Sequence, residues 1–137
     1  MKDRLTDVKI VIVDDDPDIR DSMQAAFEAE GADVVTASDG NAGVDAYHEH
    51  HPDLMILDMM LPGRSGFLAL EKIKGESGSP LVVMVTANDG RRHQAYAESL
   101  GVDAYMIKPV PLTVLIDQAE TLIKQRREED AAAGTQS

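Results

Sequence analysis

Five short apolar runs, each followed by a longer amphipathic stretch, constrain this chain more than any other feature. They are VKIVIV (8–13), DVVTA (33–37), LMIL (54–57), LVVMV (81–85) and AYMI (104–107). Most are continuously apolar, the pattern of strands buried on both faces of a parallel sheet. Between them the apolar residues recur at helical spacing. The first such stretch puts Asp16 at an N-cap, Pro17 at the first helical position, and Ile19, Met23, Ala26 and Phe27 on one face, with Gly31 at its end. Further helices are predicted over roughly 41–50, from the cap Ser65 through Phe67, Leu70 and Ile73, and over roughly 91–100. A last helix is predicted with Pro111 at its first position and a stripe of Leu112, Leu115, Ile116, Ala119, Leu122 and Ile123. Strand then helix, repeated, implies an α/β fold of right-handed βαβ units, a parallel sheet covered on both sides.

Length and charge narrow the function. The chain has 137 residues, enough for one compact domain. After Gln125 the apolar stripe stops, so the expected domain is 1–127, with a disordered tail over 128–137. There are no cysteines, hence no disulfides and no thiolate metal sites. No apolar run approaches the roughly 18–20 residues of a membrane span, and the opening MKDRLTDVK is polar. A soluble cytoplasmic protein is expected. The net charge of −12 repels phosphate backbones, which disfavours nucleic acid as a direct partner.

In an open α/β sheet, ligands bind beyond the carboxyl ends of the strands, so residues just past each run matter most. The first run ends in Asp14-Asp15-Asp16, the third in Asp58, the fourth in Thr86-Ala87 and the fifth in Lys108-Pro109. Asp16 precedes a proline and suits the N-cap, which leaves Asp14 and Asp15 to face the crevice with Asp58. Crowded carboxylates repel and take up protons unless a cation intervenes. All-oxygen ligands with open water positions suit Mg²⁺. A carboxylate, a metal, a lysine and a hydroxyl together describe a phosphoryl-transfer site. Any one of these residues alone has an ordinary explanation as a cap, a turn or a surface charge.

The segments IVIVDDDPDIR, LMILDMMLPGRSG, VVMVTAN and AYMIKP resemble the response-regulator receiver domains of two-component signalling. The resemblance covers roughly residues 8–125. It implies a flavodoxin-like (βα)5 fold with strand order 2-1-3-4-5. It makes Asp58 the phosphoacceptor, Asp14 and Asp15 the acidic pair, and Asp15, Asp58 and the carbonyl of Met60 the direct Mg²⁺ ligands. Thr86 and Lys108 would bind the phosphoryl group, Ala87 would leave it room, and Tyr105 would turn inward when Thr86 moves. The Lys108-Pro109 bond would be cis. The implied partners are a sensor histidine kinase or phosphotransfer protein upstream and a protein effector downstream, with the chain a monomer or a phosphorylation-dependent dimer. The implied role is a signalling switch that catalyses only its own phosphorylation and dephosphorylation. Val110 and Ser65 depart from the family's usual aromatic and acid at their positions, without touching the pocket.

The rival is an aspartate-nucleophile phosphatase of the haloacid-dehalogenase type, whose D-x-D is matched by Asp14 and Asp16. That reading gives Asp58 no role and lacks an acidic metal motif after Lys108. A degenerate receiver serving only as a binding module is a third. His48, His50 and His51 raise the thought of zinc, but as a group running into a loop they read as surface histidines. Arg91 and Arg92 open a helix against its dipole, a local misfit.

Overall fold

The computed structural model describes residues 3–87 and 90–135. Its elements alternate as β1 (Lys9–Val13), α1 (Pro17–Ala29), β2 (Asp33–Ala37), α2 (Gly40–His50), β3 (Leu54–Leu57), α3 (Gly66–Lys74), β4 (Leu81–Thr86), α4 (Arg91–Ser99), β5 (Ala104–Ile107) and α5 (Leu112–Thr135). The strands form one sheet in the order β2-β1-β3-β4-β5, every pair parallel. This is the expected flavodoxin-like arrangement.

The continuous apolar runs are explained by two cores, one on each face. Successive strand side chains point to opposite sides. Ile10, Ile12, Leu54, Ile56, Val83 and Val85 pack with Phe27 of α1 and Leu115, Ile116 and Ala119 of α5. Val11, Val13, Met55, Leu57, Val82 and Met84 pack on the other side with Val44 of α2, Leu70 and Ile73 of α3, and Ala97 of α4. β3 and β4 are therefore buried at every position. β5 is an edge strand covered by a helix that buries only Ala97, so it is half-exposed throughout.

Register aligns the strand ends. Val13 lies beside Leu57, and Leu57 beside Met84. β4 runs on to Thr86, which pairs with Ile107. The caps are largely those expected. Asp16 accepts from the N–H groups of Asp18 and Ile19 at 2.9 and 3.3 Å, and Ser65 accepts from that of Leu68 at 3.3 Å. Gly31 follows α1 with φ +91°. The Lys108-Pro109 bond is cis.

Three expectations need correction. α2 begins at Gly40 behind the cap Asp39, whose carboxylate accepts from the Ala42 N–H at 2.7 Å. The Pro111 carbonyl accepts from the N–H groups of Val114 and Leu115, so this proline sits at the N-cap of α5 and not at its first helical position. α5 does not fray after Gln125: it continues as helix to Thr135 through the segment read as a disordered tail, of which residues 136 and 137 lie outside the described residues. Its N-terminal half is tied to the chain start by Arg4, which pairs with Asp117 and Glu120. No described helix is long and apolar enough to cross a membrane.

Candidate functional site

The aligned strand ends deliver Asp14 and Asp58 side by side. The Asp58 N–H donates to the Val13 carbonyl at 3.1 Å, continuing the β1–β3 ladder one step past the strands. Both side chains are buried, Asp14 at 2% and Asp58 at 6% exposure, although each carries an ionisable group. Burial of this kind requires partners. The Lys108 ammonium supplies one to each, donating to Asp14 Oδ2 at 2.9 Å and Asp58 Oδ2 at 2.8 Å. Backbone N–H groups hold the other two oxygens, that of Asp16 on Asp14 Oδ1 at 2.9 Å and that of Met60 on Asp58 Oδ1 at 3.0 Å.

Lysine burial works against the charged form. Here the hydrogen bonds to Asp58 and Asp14 more than offset it, and the Lys108 pKa is raised above its ordinary value. The lysine therefore stays an ammonium across the neutral range, anchored because its N–H bonds to the Thr86 carbonyl at 2.8 Å.

Asp15 completes the group from the exposed rim. One oxygen from each of Asp14, Asp15 and Asp58 lies within 4.8 Å of the others. Two carboxylates at that spacing repel by about 3 kcal/mol at an effective dielectric of about 20. Three carboxylates against the single ammonium of Lys108 leave an excess of two negative charges. The donors are hard oxygens, and the excess equals the charge of a divalent cation. The residues present thus fit Mg²⁺.

Thr86 ends β4 fully buried. Tyr105 is half-buried on β5, in register with Met84. Met60 has an exposed side chain, at 67%, while its backbone N–H is turned onto Asp58. Ala87 is exposed at the mouth, just past the end of β4. Asp16 is not in the group: its carboxylate is spent on the α1 cap. That removes the second acid of the phosphatase-like D-x-D from the crevice.

Two contributors were not read from the sequence. Arg20, one turn into α1, donates to the Asp14 carbonyl at 2.8 Å and adds positive charge behind the acids. A cation four residues after an N-cap acid was the available hint. Gly66 lets α3 approach closely, since a Cβ there would stand 2.2 Å from the Asp58 carbonyl oxygen and 2.6 Å from the Met59 Cα. The histidines stay apart from any such chemistry. His48 pairs with Glu76 at 3.1 Å, and no three-ligand group containing histidine occurs among the described residues.

Sequence comparison decides the family. Residues 10–120 match the model of the response regulator receiver domain. The chain belongs to that family. Among solved structures, the CheY-like receiver domain protein from Methanospirillum hungatei is 29% identical, with a TM-score of 0.86 over 89% of this chain and 98% of that one. The BeF3-activated N-terminal receiver domain of RstA from Klebsiella pneumoniae is 28% identical, with a TM-score of 0.79 over 84% and 97%. A chain of the CheX-CheY-BeF3-Mg complex from Borrelia burgdorferi shares the fold at 22% identity, with a TM-score of 0.83 over 89% and 98%. Receiver domains are signalling switches, and the phosphoacceptor role and Mg²⁺ binding at an acidic pocket are general to the family.

Proposed function

We propose that this receiver accepts a phosphoryl group on Asp58 in a Mg²⁺-assisted reaction, and that the observation carrying this reading is Lys108 bridging Asp14 and Asp58 with Asp15 at the rim. The donor is the phosphohistidine of a sensor histidine kinase or phosphotransfer protein, or a small acyl phosphate. An Asp58 carboxylate oxygen attacks phosphorus as the donor's P–N or P–O bond breaks. The departing imidazole takes up a proton from solvent, while an acyl phosphate releases its acyl group as a free carboxylate. Lys108 holds its ammonium against the phosphoryl oxygens, and the Thr86 hydroxyl donates to one of them. Asp14, Asp15, Asp58 and the carbonyl of Met60 would hold Mg²⁺, which when bound neutralises charge building on the phosphoryl oxygens. Water later attacks the mixed anhydride, returning Asp58 and inorganic phosphate, so the only turnover is of the chain's own phosphoryl group.

Output follows by protein partner binding. Thr86 and Tyr105 lie on the adjacent strands β4 and β5, so repositioning of one is felt by the other and by the half-exposed face of α4, β5 and α5. Exposed Ile107 and Val114 give that face apolar contacts for an effector. Gln118, on the same helix, is half-buried and a poorer contact.

Acetyl phosphate with Mg²⁺ should add one phosphoryl group, located by mass spectrometry at Asp58 and abolished by Asp58→Asn. A label on Asp14 would return the phosphatase-like reading.

A further inference from the structure

The seam between α3 and α4 carries aromatic surface that is only partly buried. The Phe67 ring stacks on His93 with centroids 5.9 Å apart and meets Tyr96 edge-on at 5.0 Å. These contacts leave Tyr96 48% exposed, and Leu68, the neighbour of Phe67, 56% exposed. Phe67 also packs against the core beneath α3, whereas α4 buries only Ala97 and leaves Tyr96 outside it. An exposed aromatic ring held by ring contacts is a feature of contact surfaces more than of solvated helices.

Charge says what kind of contact. Arg91 and Arg92 open α4 and are exposed, with no acid in its first turn. At a helix start each cation opposes the dipole by roughly 0.3–1 kcal/mol, and neither joins an ion pair among the described residues. They therefore do nothing for the helix itself. The acids of the two helices, Glu71 on α3 and Glu98 on α4, fall beyond the first turn, Glu98 nearly two turns past the arginines. Both helices start at the carboxyl edge of the sheet, so Arg91 and Arg92 put two exposed positive charges at that end of the seam in a chain whose net charge is −12.

We propose that the α3–α4 seam is a docking surface for an acidic amphipathic segment of a partner protein, carboxylates meeting Arg91 and Arg92 and apolar side chains covering Tyr96 and the open edge of Phe67. It lies on the α3 side of α4, away from β5 and α5, and does not depend on phosphorylation of Asp58. A second copy of this chain is the wrong occupant: a two-fold contact through the same patch would set these arginines against their own copies.

The test uses the full chain and a short synthetic peptide of Leu, Phe and Glu with apolar residues at helical spacing, beside a counterpart with Lys for Glu. The acidic peptide should shift amide resonances of α3 and α4. Its affinity should fall about fivefold in Arg91→Ala/Arg92→Ala and about tenfold in Tyr96→Ala, and the lysine peptide should not bind. Shifts confined to β5 and α5, equal binding of both peptides, no binding, or affinity indifferent to these substitutions overturns the proposal. Self-association in sedimentation that the same substitutions abolish also overturns it, in favour of a second copy. Acetyl phosphate labelling of Asp58 on the same variants reports separately on the phosphoacceptor reading.

Discussion

Asp14, Asp15 and Asp16 are identical in chemistry and consecutive in sequence, yet the backbone gives them three environments. Asp14 is buried against Lys108, Asp15 stands at the rim, and Asp16 caps a helix. Their substitutions should separate accordingly. Mg²⁺ binding to the native state alone raises its stability by mass action, so millimolar Mg²⁺ should raise the melting temperature of the wild type. Asp15→Asn removes one carboxylate of the cluster, and should lose most of that rise together with phosphoryl acceptance. An equal Mg²⁺ effect in this variant would show that Asp15 is not a ligand. Asp16→Ala should lose about 1 kcal/mol of stability, as for other N-caps, and keep its Asp58 label. Chemical denaturation and mass spectrometry on one preparation measure both. This separation was legible beforehand because proline at 17 restricts its neighbour to extended backbone. Arg20 was not, since its bond to the Asp14 carbonyl depends on how α1 returns over β1.

The elements that could be read were those whose periodicity is enforced by burial. Strand runs and helix stripes both record contact with a core, and the two-sided packing of β1, β3 and β4 made them continuous. What escaped was structure held by other means. The stretch after Gln125 has no stripe to find, yet Arg, Glu and Ala favour helix locally, and a helix already nucleated by Leu115 to Ile123 propagates through them. The half-exposure of β5 depends on how thinly α4 covers it, which no property of AYMI reveals. Polar links between elements are equally invisible to periodicity. Glu76, past the end of α3, reaches back to α2, where the hydrogen bond from His48 holds its carboxyl below the ordinary value of 4.5. A depressed carboxyl contributes stability above its unfolded pKa and loses it as pH falls through the folded one. The melting-temperature difference between wild type and Glu76→Gln should therefore be present in mildly acid solution just above 4.5 and vanish on acidification below it. A difference that grows on acidification below 4.5 would contradict the assigned link.

Across the whole molecule, the phosphoacceptor crevice and the α4–β5–α5 face share the sheet edge formed by β4 and β5. Thr86→Ala should still accept a phosphoryl group, because Asp58, Asp15 and Lys108 are intact, but should transmit less of it. Amide shifts induced by beryllofluoride with Mg²⁺ should persist around Asp58 and shrink along α4, β5 and α5. Equal shifts in both proteins would place the transmission elsewhere. The register of β1 and β3 carries a further consequence. Asp14 and Asp58 meet only because Val13 lies opposite Leu57. A slip of one residue would move Asp58 by about 3.3 Å and turn its side chain to the opposite face. Misassembled chains would then lack the cluster altogether. On the proposed reading, only molecules with this register could accept a phosphoryl group on Asp58, so loss of acceptance in a refolded preparation would report misassembly of the sheet.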